Sequence, residues 1–196
     1  MERLLEHFLE QGVADATLRP VAESVGSSAR LLVYHFGSKE ELLAAVVSEV
    51  QSRLQTFFAD AFQSAPARGG KVALRSFWDQ ALRPKNLRLF RLLFEVQILA
   101  LQNPGRYGPL LRGNSESWLS VISQVLLPSK ERRQRAVLCA AVVDGLLLEV
   151  LSGGSRTQAT AALDEFLRLV ARTWHEGSQS SPSRSLLGSS RRQRQR

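Results

Sequence analysis

A very short segment enclosed by two glycines constrains the fold of this chain more than any other feature of its sequence. Gly26 and Gly37 bracket the run "SSARLLVYHF", and the next predicted helix begins directly afterwards at "SKEE". A helix this short is marginal in water and forms only when neighbouring elements pack against it. Ala22, Gly26 and Leu32 follow one another at intervals of four and six residues. Because a small residue lets two helices cross closely, glycine makes the tight turn and leucine fills the shared core, this spacing predicts a helix-turn-helix.

Local end signals predict the helices around this motif. An apolar face that closes at Gly12 predicts the first helix. Thr17 can cap the second helix and Ser28 the third, because both side chains offer an oxygen to free backbone N–H groups. Ser38 and Glu41, three residues apart, form a capping box that opens a long fourth helix.

Helical periodicity also dominates the remainder of the chain. Helices are predicted over residues 72–82, 86–102, 109–127, 129–151 and 156–174, with loops at "NPGRYGP" and "SGGS". The segment 86–102 is apolar nearly all the way round, which is typical of a helix buried in a bundle. We therefore expect an all-α chain with a three-helix helix-turn-helix domain at 1–46, a helical bundle at 47–176 and a disordered basic tail at 177–196.

The net charge of +8 is distributed unevenly along the chain. Residues 1–50 carry four basic and eight acidic side chains, a net charge of −4, whereas residues 51–176 carry 17 basic and ten acidic side chains. Within residues 17–39, however, three of the four charges are positive. The total charge therefore says little about nucleic-acid binding, and its local distribution matters more.

Cysteine usage and hydropathy predict the compartment. The single cysteine, Cys139, lies in an apolar run and excludes an intrachain disulfide, so we expect a buried, inert thiol. The N-terminus lacks a basic and apolar leader with a cleavage site, and the most apolar stretch is interrupted by Asp144 and Glu149. These features predict a cytoplasmic protein without a membrane span.

Residues suited to catalysis or metal binding do not cluster in the sequence. The three histidines lie in separate predicted helices, no Cys or His pair has metal-ligand spacing, and no glycine loop for phosphates is present. Glu95 lies in an apolar helix but has Arg91 one turn before it, which predicts an ordinary ion pair. We expect no enzyme, no cofactor and no metal, and we keep Asp144 as a candidate pocket or interface group.

Residues 10–43, "EQGVADATLRPVAESVGSSARLLVYHFGSKEELL", closely resemble the N-terminal domain of TetR-family transcriptional regulators. The resemblance rests on a helix ending in glycine and on the successive motifs "TLRPVA", "VYHF" and "SKEEL". It covers about a fifth of the chain. The two long final helices are similar in layout to that family's ligand-binding and dimerisation bundle, so the resemblance implies an all-α regulator with a DNA-binding head.

The resemblance also implies roles for individual residues of the head. Those near DNA phosphates are Thr17, Tyr34, His35 and Lys39, and those facing bases or groove walls are Arg19, Ala29, Arg30 and Val33. Ser28 joins the candidate DNA-binding set because it stands, like Lys39, at a predicted helix N-terminus, where free N–H groups and the helix dipole favour an anion. An aromatic pair such as Tyr34 and His35 can alternatively cap a core.

Two departures from the family pattern affect this interpretation. Val33 replaces the tyrosine that the pattern often has, so a groove contact there is apolar, for example to a thymine methyl group. The chain begins almost inside its first helix, without a basic N-terminal arm. Either contacts to the adjacent groove are lost, or the true start lies upstream.

On this basis we expect a ligand-responsive repressor that binds a palindromic double-stranded DNA operator as a homodimer. The resemblance places the dimer contact on the last two helices, at Ala140, Ala141, Gly145, Ala159, Ala162, Leu163, Phe166 and Val170. The alternative is that these residues pack only within one monomer. Side chains that could line a pocket for a small apolar effector, or form plain core, are Trp78, Phe90, Phe94, Ile98, Tyr107, Trp118 and Val121. The helix from Ser38 would link this pocket to the head.

Two other classes of function remain open at this point. The acidic charge of residues 1–50 favours a helical small-molecule-binding protein whose head does not bind DNA. An enzyme built on a helical bundle is the third, and the sequence offers no residues to nominate for it.

Overall fold

The computed structural model describes residues 1–63, 70–111 and 114–176. Within these ranges the chain forms ten α-helices and no strand, which confirms the all-α prediction. The helices are α1 (Glu2–Gln11), α2 (Leu18–Ser24), α3 (Ala29–Phe36), α4 (Lys39–Gln63), α5 (Gly70–Ala81), α6 (Pro84–Gln102), α7 (Pro104–Leu111), α8 (Asn114–Val125), α9 (Arg132–Leu151) and α10 (Arg156–Glu176). None of these helices is long and apolar enough to cross a membrane. The predicted tail at 177–196 lies outside the described residues.

The head, residues 1–46, contains the predicted helix-turn-helix. Gly26 and Gly37 adopt φ angles of 70° and 82°, a left-handed conformation that glycine tolerates best. Between them, Ser28 Oγ accepts the backbone N–H of Leu31 at 3.2 Å and caps α3. Leu32 is 5% exposed and packs into the core of the head. The length of α3 is therefore set at both ends by local chemistry and held by one buried side chain.

The long helix α4 joins the head to the body, residues 47–176. Ser38 Oγ accepts the N–H of Glu41 at 3.1 Å and donates its hydroxyl hydrogen to the Glu41 carboxylate at 3.3 Å. Further along α4, Leu54 and Phe58 are completely buried in the body. Since the predicted domain boundary at 46/47 falls inside α4, head and body are connected by one continuous helix.

An aromatic cluster occupies the centre of the body. Phe58 of α4 stacks on Phe77 of α5 with 4.0 Å between ring centroids. Phe90 of α6 and Trp118 of α8 lie within 6.4 Å of these rings and of each other. The four rings join α4, α5, α6 and α8 into one core.

Contacts from α5 and burial of Cys139 hold the last two helices, α9 and α10, in the body. Trp78 Nε1 donates a hydrogen bond to Thr160 Oγ1 at 2.8 Å, and Arg75 pairs with Asp164 at 2.7 Å, so α5 and α10 are held together. Cys139 of α9 is fully buried, and this burial raises the pKa of its thiol to about 12. The thiol therefore stays protonated at neutral pH, which confirms the prediction of a buried, inert cysteine.

The predicted loop "NPGRYGP" is wrong, because this segment forms most of α7. Pro104 occupies the first helical position, where its missing N–H breaks no intrahelical bond. The carbonyl of Asn103 accepts the N–H of Tyr107 at 3.0 Å, and the Tyr107 side chain is only 3% exposed. Burial of this side chain offsets the weak helix propensity of the glycines. The helix predicted over 109–127 is consequently divided, and α8 begins at Asn114.

Candidate nucleic-acid interface and internal cavity

The outer face of α3 presents two large side chains to solvent. Helical periodicity places Arg30 and Tyr34, one turn apart, on the side opposite the buried Leu32. Arg30 is exposed, and Tyr34 is 82% exposed. A tyrosine this exposed does not cap a core, so its surroundings favour a surface role.

Val33 and Leu31 stand on either flank of this face, each 45% exposed. Val33 is among the residues predicted to reach DNA, whereas sequence reasoning missed Leu31. Two adjacent leucines, Leu31 and Leu32, suggest two core residues, but this helix buries only one side. Because Leu32 is buried, Leu31 must lie near the surface. The same periodicity could have identified it.

The remaining predicted side chains of α3 divide between surface and core. His35 is exposed, and its ring meets the Tyr34 ring edge-on with 5.3 Å between centroids. Ala29 is half-buried against the core of the head, as is Phe36. The structure therefore brings Tyr34 and His35 together on the surface and leaves Ala29 only partly accessible.

Three predicted phosphate contacts stand at helix N-termini. Thr17 precedes α2 and is exposed, and contrary to the prediction its side chain makes no capping hydrogen bond. Ser28 precedes α3 and does cap it. Lys39 is the first residue of α4 and is half-buried. The free N–H groups and positive dipole end of each helix favour an anion at these positions.

Arg19 of α2 pairs with Glu23 at 3.1 Å on the surface, with side chains 87% and 64% exposed. Ion pairs this exposed contribute little to stability. Arg19 can therefore exchange the Glu23 carboxylate for another anion at small cost.

Several acidic side chains of the head lie at its contact with the rest of the chain. Three of them pair with arginines beyond residue 46: Glu2 with Arg53, Glu6 with Arg88, and Glu40 with Arg106. The hydrogen bond from Arg53 lowers the pKa of Glu2. Burial alone would raise the pKa of Glu40, but hydrogen bonds from its own backbone N–H and from Arg106 outweigh burial and lower it. These carboxylates are ionised and neutralised at this contact, so the net charge of −4 does not describe the face of α3.

A cavity of about 280 Å³ lies between α5, α6, α8 and α9. Its lining residues are Leu74, Phe77, Phe90, Leu93, Phe94, Gln97, Trp118, Leu119, Ile122, Val137, Ala140, Ala141, Val143 and Asp144. The walls are apolar and aromatic. Among these residues, Asp144 is the only one with an ionisable side chain.

Three of the seven predicted pocket residues, Phe90, Phe94 and Trp118, line this cavity. The other four lie elsewhere, namely Trp78 in the core against α10, Tyr107 buried in α7, Ile98 on the surface with 51% exposed, and Val121 half-buried outside the lining. Sequence reasoning missed most of the cavity residues on α9, because the apolar run on that helix does not indicate which of its sides faces the cavity.

Asp144 combines an exposed edge with apolar surroundings. Desolvation by the cavity wall raises the pKa of its carboxyl from 3.8 to about 6. At neutral pH the group is therefore ionised, and water still solvates its exposed edge. This outcome agrees with its prediction as a pocket or interface group.

Helix α6 contacts both the cavity and the head. Its cavity residues are Phe90, Leu93, Phe94 and Gln97. Its contacts with the head are the ion pair of Arg88 with Glu6 at 2.8 Å, the hydrogen bond from Arg91 to the carbonyl of Leu9, and the hydrogen bond from Val13 N–H to Glu95 at 3.1 Å. A Cβ at Gly12 would lie 2.7 Å from Glu95 Oε2, so the glycine allows this approach. The described side chains of α4, those of residues 39–56 and of Phe58, are not part of the cavity lining.

Exposed apolar and small residues follow one side of α9. Leu138, Ala141, Gly145 and Leu148 repeat at intervals of three and four, and all four are exposed. On α10, Ala162 is exposed and Phe166 and Val170 are half-buried. Two residues predicted at a dimer contact, Ala159 and Leu163, are 3% and 0% exposed within the single chain and pack in its own core.

The described residues contain no group of three or more His, Cys, Asp and Glu side chains that could hold a metal ion. The three histidines belong to α1, α3 and α10.

Comparison with known proteins relates these features to characterised chains. Residues 2–46 match the family model described as bacterial regulatory proteins, tetR family. The chain is 26% identical over 146 residues to the HTH-type transcriptional regulator BetI of Stenotrophomonas maltophilia, covering 71% of this chain and 72% of that protein. It is 27% identical over 172 residues to the HTH-type transcriptional regulatory protein RaaS of Mycobacterium tuberculosis, covering 84% and 76%.

Solved structures with the same fold cover most of the chain. A transcriptional regulator from Rhodococcus sp. Rha1 superposes with a TM-score of 0.73 at 22% identity, covering 88% of this chain and 94% of the other. A TetR transcription regulator from Haloarcula marismortui superposes with a TM-score of 0.68 at 18% identity, covering 86% and 96%. The family model matches the head, and the structural matches carry the same fold through the body.

Proposed function

Because the chain is a transcriptional regulator of the TetR type with a helix-turn-helix DNA-binding domain, we propose that it is a ligand-responsive repressor. In this proposal a homodimer binds a palindromic operator, and a small effector in the body's cavity releases the DNA. The observation that carries the proposal is the outer face of α3, where Arg30 is exposed and Tyr34 is 82% exposed to solvent.

The size and chemistry of α3 suit a DNA major groove. A single helix enters this groove, which is about 12 Å wide, and reads base edges with its N-terminal residues. Arg30, the second residue of α3, can fork onto guanine O6 and N7, while Val33 offers an apolar contact to a thymine methyl group. Thr17, Tyr34 and Lys39 flank this reader and would bind phosphates.

The surface of α9 and α10 supports a dimer. Ala141, Gly145 and Ala162 lack large side chains and would let helices of two copies approach closely. Apolar residues beside them, such as Leu138 and Leu148, would be covered in the contact. A two-fold dimer places two α3 helices in successive major grooves when they are about 34 to 36 Å apart, which implies a palindromic operator.

The connection between cavity and head in this proposal runs through α6, instead of the helix from Ser38. Phe94 and Gln97 line the cavity, and Glu95, which lies between them in the sequence, accepts the backbone N–H of Val13 in the segment that follows α1. A compound that shifts α6 therefore moves both its cavity residues and its contacts with the head. The compound lowers DNA affinity if it binds the dimer with wrongly spaced heads more tightly than the dimer that fits DNA.

The charge argument for a head that does not bind DNA is weaker than the net charge suggests. Three of the eight acids in residues 1–50, Glu2, Glu6 and Glu40, pair with arginines of the body. The small-molecule-binding role remains part of the proposal, as the regulatory half of a DNA-binding protein.

A mobility-shift assay with the DNA upstream of the protein's own gene tests the proposal. We expect a shifted band that an excess of the same fragment competes and an unrelated fragment does not. Arg30→Ala should weaken it, while Arg156→Ala, which removes the same charge from the start of α10, should not. Absence of any shift at low salt, where phosphate contacts are strongest, would contradict a DNA-binding repressor.

A further inference from the structure

The cavity lining is almost entirely apolar. Among the described lining residues, the amide of Gln97 and the carboxyl of Asp144 stand out as polar, and only Asp144 carries a charge. Its neighbours one turn away on α9 are Ala140, Ala141, Leu147 and Leu148, none of them basic. Within the described residues, Asp144 takes part in none of the ion pairs or side-chain hydrogen bonds, whereas Asp164, Glu116 and Glu131 of the same helical body each pair with an arginine.

Asp144 is exposed at the edge of the cavity, so water solvates part of its carboxylate, but the apolar wall still disfavours the charge, and a cation beside it would compensate. The fold supplies no such cation from the described lining. The raised pKa of Asp144 is consistent with this partial desolvation. A positively charged group entering the cavity would restore the missing partner.

Aromatic rings surround the same space. Phe77, Phe90 and Trp118 lie with ring centroids between 6.0 and 6.4 Å apart, and Phe94 adds a fourth ring to the lining. Aromatic faces attract organic cations, and quaternary ammonium groups are bound in this way. The rings would accept the apolar body of a compound as well as part of its charge.

We propose that the effector is a small organic cation with an apolar or aromatic body, whose charge pairs with Asp144 and whose body packs among Phe77, Phe90 and Trp118. This inference rests on the proposed function, because it names the chemical class of the compound that regulates DNA binding. An anion would meet the Asp144 carboxylate and find no basic side chain in the described lining. A neutral apolar compound would bury the carboxylate further without compensating it.

The cavity volume limits the size of this cation. A cavity of roughly 150 Å³ holds one benzene molecule. The cavity here measures about 280 Å³. It therefore suits a compound of roughly a dozen non-hydrogen atoms, such as one ring bearing a substituted ammonium group.

Two compounds of equal shape test the charge directly. Phenyltrimethylammonium and tert-butylbenzene differ only in that a carbon replaces the charged nitrogen, and calorimetric titration measures the binding of each to the full chain. We expect the wild-type protein to bind the cation at least as tightly as its neutral counterpart. Asp144→Asn should reduce the affinity for phenyltrimethylammonium by about tenfold or more. The affinity for tert-butylbenzene should stay the same or rise, because only the cation loses a charged partner.

Glu149→Gln is the matched control variant, since it removes one negative charge from the same helix outside the cavity lining. It should alter neither affinity. The inference is overturned if the wild-type protein fails to bind phenyltrimethylammonium, binds it more weakly than tert-butylbenzene, or loses affinity for both compounds equally in Asp144→Asn. The comparison of the two compounds on the wild-type protein needs no variant to fold.

DNA binding by the same preparations, measured without either compound, separates this inference from the proposed function. Retained DNA binding with no preference for the cation overturns the cationic class alone. Absence of DNA binding by the wild-type protein means that the repressor proposal itself has failed. If the protein binds DNA and also prefers the cation, phenyltrimethylammonium should weaken the shifted band.

Discussion

Arg30 illustrates how one side chain can carry sequence specificity. It projects from α3 on the side opposite Leu32, next to the N-terminal end that would point into the groove. A guanidinium can donate two parallel hydrogen bonds to one guanine, whereas a phosphate contact is the same for every sequence. The two roles differ in what their loss does to sequence preference.

Replacing Arg30 by alanine should relax base preference at one position of each half-site, at a cost of about 1 to 3 kcal/mol for the preferred base. Mobility shifts with operators that vary at single positions measure this. Lys39→Ala should instead weaken all operators alike and reduce the salt dependence. An unaltered sequence preference in Arg30→Ala would reassign Arg30 to phosphate or solvent.

Asp144 gives the second prediction at the residue scale, through the effect of pH on stability. Folding raises the pKa of its carboxyl from 3.8 to about 6, so the folded state favours the protonated form. The resulting stabilisation is complete below pH 3.8 and is lost as the pH rises through about 6. Asp144→Asn, which cannot ionise, should therefore melt at a higher temperature than wild type at pH 8, with the difference shrinking towards pH 4. Thermal melts across this range measure it, and a difference that stays constant with pH would show that Asp144 titrates normally.

Helix α6 is the element that couples the two halves of the chain. It buries Leu92 completely and carries cavity residues and head contacts within the same few turns. Glu95 accepts the N–H of Val13 in the head at 3.1 Å, and it forms the predicted ion pair with Arg91 at 3.3 Å. A rigid helix held at both faces can transmit a displacement that a loop would absorb.

Glu95→Ala should uncouple compound binding from DNA release. Removing the carboxylate leaves the Val13 N–H without its acceptor, at a cost of about 1 to 3 kcal/mol, but leaves the cavity lining intact. Whichever of phenyltrimethylammonium and tert-butylbenzene binds wild type should bind the variant equally, yet change its DNA affinity less. Arg75→Ala serves as the control, because it breaks an ion pair between α5 and α10 that does not touch the head. Equal DNA responses in wild type and Glu95→Ala would exclude this contact from the coupling.

At the scale of the whole molecule, charge and apolar surface are distributed differently over the head and the body. Three acids of the head, Glu2, Glu6 and Glu40, pair with arginines of the body, and the outer face of α3 itself carries Arg30 and no acid. The exposed apolar side of α9 lies on the body. Such a stripe, covered in a two-fold dimer, would bring two heads into one complex with DNA.

Gly145→Arg tests the dimer at this scale. A Cβ at Gly145 meets no atom within 4 Å, so the single chain accommodates the substitution, but a charged side chain would block close approach of a second copy. We expect a folded monomer by sedimentation, with operator affinity reduced by roughly 100-fold because the second head no longer binds the same DNA. Gly105→Arg, at a position equally open within the chain, should remain dimeric. A dimeric Gly145→Arg would place the contact elsewhere.

Local chemistry made much of the head predictable. The left-handed glycines at 26 and 37 and the Ser28 cap act within a few residues of themselves, so the sequence alone determined the limits of α3. The inward position of Leu32 followed from the spacing of the motif. The motifs from Thr17 to Lys39 likewise identified the candidate DNA-binding residues before any coordinates.

Tertiary structure decided what depends on neighbours distant in the chain. Burial of Tyr107 turned a glycine- and proline-rich segment into α7, against its local preference. A helix that is apolar all round does not reveal which side faces a space, so Ile98 proved exposed while Asp144 reached the cavity. The pairing of an acid of the head with an arginine of the body, such as Glu6 with Arg88 82 residues later, could be seen only in the folded chain. Local sequence sets backbone turns and caps, whereas the environment of a side chain is a property of everything packed around it.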